Sequence, residues 1–579
     1  MIRSLLKREF LLIVGMAVLV ILSHLCKPEI KNAVLHRGGG ESSVSLPVSV
    51  SMARGEQFTI DMDVTTGLAG DFFLDIHPDD CVTDLVVNGT VFPFANYPGY
   101  CSWNRGFVLD KREIVRNLGQ EAPVYHVQIS LQNNGGLGGL TAVIKGGGFV
   151  LGAFSVLFFV LLGLLVFSVG ARFKLDRKLI LLFFIGLLLR VGYGQETFYD
   201  QRGHDVGGHV HYMRIVAEQN RIPSANECWT CYHPPVYYVL SAGVWKMSNL
   251  LECSPQNAVK WFDFLISLVA LGFGLACLKS LLSGAPLVAA ALLWSVWPSF
   301  ILASPRLGND ILFYAMHAVA LWGCLKYIRS SSGKYFIVAV LAAFIAYWTK
   351  STAIVTFGLL GVTALVQLLS RNPRKWSRVE KVAAGLFVVA SIAVACVALS
   401  HDVVGNASGN DNTVLIRNNP GNFLFFDLRT FLTLPYTDPW HDELGRQFFW
   451  NYLAKTSLFG EFKLLETAKG LWLASIISAC FVALLGFGLR GLWKTRWDKA
   501  HILMGVQALL FFAAMVALRL KYPFSCSNDF RYIVPVLLSC LPWVGEGFCG
   551  EGTSRKLKIV GWSTVILFSI CSSILLLSL

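Results

Sequence analysis

Between Tyr199 and Tyr238 the chain reads Y-D-Q-R-G-H-D-V-G-G-H-V-H-Y-M-R-I-V-A-E-Q-N-R-I-P-S-A-N-E-C-W-T-C-Y-H-P-P-V-Y-Y, which sets ionisable groups, cysteines and a double proline between hydrophobic runs. Asp205, His209 and Tyr212 follow a D-x-x-x-H-x-x-Y spacing, so on a helix all three share one face. That helix is expected to run to about Asn220 and to stop before Pro223. Asp205 then falls in its first turn, where a carboxylate is favoured by the helix dipole and can cap free amides; for His209 and Tyr212 the purely structural role is interfacial packing. His233-Pro234-Pro235 cannot continue a helix and forms a rigid elbow. Elbow and carboxylate together hold a loop against the membrane surface, as a site working on a lipid substrate requires. Cys228-Trp-Thr-Cys231 reads as a structural disulfide, within the pair or to Cys253 or Cys526. A zinc site with His233 as third ligand is the alternative, and no residue is assigned to a metal on sequence grounds.

The elements that must position these groups are membrane helices. Hydrophobic residues make up 54% of the 579 positions and charged ones only 15%, and the mean hydropathy is +0.56; a soluble globular chain is far more polar. Apolar runs near 9–26, 149–170, 178–194, 259–280, 284–304, 309–328, 335–349, 352–370, 383–400, 468–490, 500–518, 532–547 and 558–577 imply about thirteen transmembrane helices. The net charge of +13 is not a nucleic-acid signature, because the cations gather in alternate short loops such as Arg172, Lys174, Arg177 and Lys178, or Arg371, Arg374, Lys375, Arg378 and Lys381. Placing all such loops in the cytoplasm satisfies the positive-inside rule and leaves the amino terminus inside. Segments 27–148, 195–258 and 401–467 are then extracytoplasmic, in the periplasm or a lumen. The first span, with no small-x-small site before Lys27, is expected to be a retained anchor rather than a signal peptide.

This organisation gives an anchor at 1–44, an extracytoplasmic β-sandwich or jelly roll at 45–147, a second membrane helix and cytoplasmic loop at 148–177, and a helical bundle at 178–579. The β-domain is read from alternating segments such as Q-F-T-I-D-M-D-V and V-Y-H-V-Q-I-S-L between turn residues. Cys81 and Cys101 are its candidate disulfide. Asn88-Gly-Thr and Asn406-Ala-Ser match the glycosylation pattern, though the first also suits a turn. Within the outer loop 195–258, the stretch from Val236 to Leu251 is expected as an interfacial helix. The loop 401–467 carries Asp438, Trp440, Asp442, Arg446, Trp450, Lys455 and Glu461, a mixture suited to sugar or headgroup contacts.

The acidic residue in an outer loop, the following H-x-x-Y helix and Pro234-Pro235-x-Tyr237-Tyr238 resemble the GT-C superfamily of polytopic, lipid-dependent glycosyltransferases. That superfamily includes the dolichyl-phosphate-mannose protein mannosyltransferases and the lipid A aminoarabinose transferases. Downstream, Asn309-Asp310 at the outer end of a span, Thr349-Lys350 between two spans, and Asp529-Phe530-Arg531-Tyr532 before Pro535 extend the resemblance over roughly 178–577. The β-domain departs from the simplest members. The resemblance implies a GT-C-like bundle in which a sugar on a polyprenyl phosphate passes, with inversion, to a lipid, glycan or protein acceptor. It makes Asp205 the general base, with Asp200 as the alternative, and Lys350, Arg531 and less directly Arg306 the cations for the departing phosphate. His209, Tyr212, His233, Tyr237, Asn309 and Asp310 complete the expected substrate-binding set, and a divalent cation is compatible with it. The rival reading is a transporter or lipid flippase with a carbohydrate-binding outer domain. Against it, no internal repeat is visible, and the charges gather on one membrane face.

Overall fold

The computed structural model describes residues 2–579 apart from 69, 80, 98, 102–105, 136, 147–148, 252, 371–375, 401–417, 438–447, 466 and 524–526. The chain divides into two units, Met1–Arg177 and Lys178–Leu579. Asn406, Asp438, Trp440, Asp442, Arg446 and Cys526 lie outside the described residues.

Strands begin earlier in the first unit than the expected boundary at residue 45. The strands are β1 (Glu29–Arg37), β2 (Gly40–Ser43), β3 (Val48–Ser51), β4 (Gln57–Thr65), β5 (Phe72–Pro78), β6 (Cys81–Val87), β7 (Thr90–Val91), β8 (Phe107–Asp110), β9 (Val124–Gln132) and β10 (Leu137–Gly146). The segment assigned to the anchor therefore already supplies β1 and β2. A bulge between Lys31 and Val34, with Asn32 at φ 50°, breaks the two-residue alternation of β1 and hides it from periodicity. One antiparallel sheet has the order β2-β1-β4-β9-β6-β7 and the other β3-β10-β5-β8. Ile60, Val64, Leu74, Ile76, Leu85, Ile129 and Leu140, drawn from both sheets, are fully buried in one core, which makes this a sandwich. Cys81 and Cys101 are joined by a disulfide. Two membrane-length helices flank the sheets, Arg8–Cys26 and Val150–Arg172, and the Glu9 carboxylate pairs with Arg172 at 3.0 Å.

The second unit is helical. Among the described residues the whole chain has ten helices long and apolar enough to span a membrane, and three shorter apolar ones, Gly284–Val296, Gly333–Tyr347 and Val534–Cys549. The short ones fall where the sequence suggested full spans. The 284–304 run is cut because Trp297, preceding Pro298, is extended (ψ 120°). Pro535 likewise confines the start of the 532–547 run to a single 3-10 turn, Val534–Val536, before the helix Leu537–Cys549. The fifteen residues of Gly333–Tyr347 reach roughly 22 Å, short of a hydrocarbon core of about 30 Å. Trp348–Lys350 thus follows a helix too short to cross. The helix Val236–Leu250 buries Tyr237, Tyr238, Ser241, Ala242 and Trp245 on one side and exposes Val239, Leu240, Met247 and Leu250 on the other, as an interfacial helix does.

Candidate active site

Asp205 stands at the amino end of the helix Val206–Gln219 in a left-handed conformation (φ 55°), and its carboxylate makes no capping bond. The capping role offered by the sequence is therefore not taken: a capping side chain needs an extended backbone to reach back over the first amides. The carboxylate is exposed, and its Oδ1 accepts a 2.9 Å hydrogen bond from the Trp229 indole N–H. Trp229 lies in the four-residue loop closed by the Cys228–Cys231 disulfide. Asp200, half-buried on the same loop, neighbours Tyr199, whose phenol is pushed up to about 12 by burial and then by the Asp200 charge.

One turn along the helix, His209 Nδ1 lies 2.8 Å from the Tyr238 hydroxyl. Its ring rests on Gly308 so closely that a Cβ there would stand 3.4 Å from Nε2. Tyr212 stacks on Tyr238 at 3.7 Å between centroids and donates to the His233 carbonyl at 3.4 Å; the His209 and His233 rings stack at 5.9 Å. Burial lowers the His209 pKa to about 4, and burial first also holds His204 and His233 well below the usual histidine range. All three are neutral at pH 7.

Tyr237, behind this wall, is fully buried. Its hydroxyl donates to Asp263 Oδ2 at 2.8 Å and accepts the Gly308 N–H at 2.9 Å. Asn309 Nδ2 donates to the Thr349 carbonyl at 3.1 Å. These bonds tie the turn at 308–310 to the turn at 349–350, and the tie brings Asp310 and Lys350 together as an ion pair. The Tyr212 and Tyr237 hydroxyls and the Asn309 amide nitrogen thus each have a hydrogen-bond partner within the protein.

Lys350 and Arg531 both lie over the Tyr532 ring: the ammonium is 4.8 Å and the guanidinium 5.0 Å from its centre. Arg531 also donates to the Tyr532 hydroxyl at 3.1 Å and pairs with Asp529 Oδ2 at 3.2 Å. His209 and Tyr232 both feel the charges of Asp205, Asp310 and Arg531. Arg306 packs its guanidinium over Phe462 at 5.0 Å, and its Nε and Nη2 are buried without a hydrogen-bond partner. Among the described residues it makes no close ion pair, although the Asp529 carboxylate acts on it at longer range.

One further convergence lies beside Arg531. His204 Nδ1 is 3.4 Å from Glu461 Oε2, and His204 Nε2 is 3.7 Å from Asp529 Oδ2. Among the described residues this is the group with ligand atoms close enough for a metal ion, all within 4.8 Å of one another. A neutral imidazole and two carboxylates suit a divalent cation by donor type. Arg531 already pairs with Asp529, however, and Tyr452 donates to Glu461, so protein groups meet much of this demand.

The sequence reading missed His204, Asp263 and Trp229, and gave Glu461 no role. His204 lay masked between Gly203 and Asp205, and nothing along the chain relates it to Glu461. Beside Glu461, Gly460 adopts φ 64°, and a side chain there would press on Arg306 Nη2 at 3.2 Å, so glycine suits the position.

No curated protein sequence matches the chain. Three solved structures are similar at low identity. ArnT from Cupriavidus metallidurans has 13% identity and a TM-score of 0.32, over 68% of this chain and 77% of that one. An oligosaccharyltransferase from Archaeoglobus fulgidus has 13% identity and a TM-score of 0.37, over 68% and 55%. Arabinosyltransferase EmbB from Mycobacterium smegmatis has 9% identity and a TM-score of 0.37, over 94% and 53%, so this chain spans about half the length of the latter two. A family model described as dolichyl-phosphate-mannose-protein mannosyltransferase matches residues 232–400. The resemblance read from the residues is thus carried by the segment that holds His233, the double-proline elbow, Asn309-Asp310 and Thr349-Lys350.

Proposed function

We propose that the chain is a membrane glycosyltransferase that moves a sugar from a polyprenyl-phosphate donor to an extracytoplasmic acceptor. The reading rests on one arrangement: an exposed carboxylate, Asp205, acts on His209 and Tyr232 together with Arg531, while among the described residues Lys350 and Arg531 are ion-paired and Arg306 keeps two guanidinium nitrogens without a hydrogen bond. A phosphodiester headgroup offers acceptor oxygens to the two unbonded Arg306 nitrogens, and charge-assisted bonds to guanidinium nitrogens are strong where water is scarce. In the transfer, Asp205 takes the proton from the attacking hydroxyl or amine as that atom bonds to the anomeric carbon. The bond from that carbon to the phosphate oxygen breaks on the opposite side, so configuration inverts, and polyprenyl phosphate leaves with the electron pair. Arg306, together with Lys350 and Arg531, stabilises the charge on the leaving oxygen. Asp200 is the alternative base. The basic short loops, assigned to the cytoplasm by the positive-inside rule, support an outer-face site with the amino terminus inside. Purified protein offered a panel of polyprenyl-phosphate sugars tests the reading. It predicts transfer with loss of the donor, whereas solute movement across vesicles without any donor consumption favours a transporter.

A further inference from the structure

Trp229 is 52% exposed, although everything around it acts to fix its position. The Cys228–Cys231 disulfide closes its loop, and the Cys231 N–H donates to the Cys228 carbonyl at 3.2 Å. Thr230, fully buried, seats the loop on the helix that carries Asp205. A side chain at Gly208 would meet Thr230 Cγ2 at 2.7 Å, so glycine is what allows the seat. The one polar atom of the indole is spent on Asp205, which leaves a rigid, apolar face open beside the candidate base. An interfacial anchor ordinarily turns its N–H to headgroups or water, whereas this one turns it to a carboxylate.

An aromatic face beside a carboxylate matches the two-sided chemistry of a sugar ring, whose C–H face stacks while its hydroxyls hydrogen-bond. We propose that the Trp229 face is the acceptor subsite, and that the acceptor is a saccharide whose ring stacks on the indole and presents one hydroxyl to Asp205. This rests on the transferase reading for Asp205 and adds the class of acceptor to it. The disulfide loop is the positioning element that holds the platform at hydrogen-bond distance from the carboxylate.

The test compares wild type with Trp229→Ala and Trp229→Phe. The acceptor probes are methyl α-mannopyranoside, methyl α-arabinofuranoside and a Ser/Thr-containing peptide. Removing the platform should raise the saccharide KM about tenfold in Trp229→Ala, equivalent to about 1.4 kcal/mol, while the donor KM stays within about twofold. Trp229→Phe keeps an aromatic face and should hold the saccharide KM within about threefold, but kcat falls because Asp205 loses its indole N–H. The Cys228→Ser/Cys231→Ser variant should follow Trp229→Ala. Saccharide-induced change in tryptophan emission, present in wild type and absent in Trp229→Phe, reads the subsite without catalysis. If that change appears while no donor supports transfer, Trp229 is a saccharide-binding face, and both the transferase reading and the acceptor role built on it fall. If transfer proceeds and Trp229→Ala leaves the saccharide KM unchanged, shifts donor and acceptor KM alike, or affects only the peptide, the subsite is overturned.

Discussion

Tyr237→Phe deletes a single oxygen at the point where the frame of the site is tied together. That hydroxyl donates to Oδ2 of the fully buried Asp263 carboxylate and accepts the Gly308 N–H. Each buried group left unsatisfied costs about 1–3 kcal/mol, so the substitution should destabilise the chain by about 2–6 kcal/mol. The functional effect follows the same path: Gly308 is released, the turn carrying Asn309 and Asp310 shifts, and the Lys350 ammonium loses its registry with Tyr532. A displacement of about 1 Å in a positioning frame costs about a hundredfold in rate. Thermal unfolding in detergent and kcat/KM with saturating acceptor measure the two effects. Adding Asp263→Leu should recover part of the stability, because the buried carboxylate goes with its partner, but should not restore activity. If Tyr237→Phe unfolds at the wild-type temperature and keeps full activity, the tie is incidental and the framework role is wrong.

Three other outcomes follow from the same geometry. Replacing Lys350 by Met leaves Asp310 without its partner and should cost about 3–5 kcal/mol, whereas the Lys350→Met/Asp310→Leu double variant should cost less than the single one in a thermal-shift cycle. Arg306→Gln leaves no carboxylate unpaired among the described residues, so its melting temperature should hold while the donor KM rises by about ten- to a hundredfold. His209 is buried neutral, with its pKa lowered from 6.5 to about 4; its unfolded form binds a proton first, so stability is full above pH 6.5 and is lost as pH falls toward 4, with His204 and His233 acting in the same direction. His209→Gln should flatten that part of a pH-melting curve, and an unchanged curve contradicts the burial argument.

Much of this was legible in the chain because a bilayer imposes simple rules. Apolar runs and alternating basic loops mark membrane helices, and proline explains the runs that fail to span: Pro298 and Pro535 cut two of them. The first strand was not legible, because the bulge at Asn32 removes the alternation by which strands are recognised. In the site, Asp310 and Lys350 could be suspected singly from an unusual charge at a span end. Their pairing depends on Tyr237, Gly308 and Asn309, whose bonds join positions far apart in sequence. His204 with Glu461 and Asp529 is a wholly tertiary association of three loops, and the use of the Trp229 N–H by Asp205 appears only once the disulfide loop is folded onto its helix.

The most direct test of the central claim is transfer from a polyprenyl-phosphate sugar by wild type and by Asp205→Asn, with the anomeric configuration of the product read by NMR. A base that takes the nucleophile's proton contributes about 10²–10⁴-fold, so the account predicts an inverted product from wild type and a loss of that size in the variant, with donor binding intact. Transfer at the wild-type rate by Asp205→Asn, or a product of retained configuration, contradicts it.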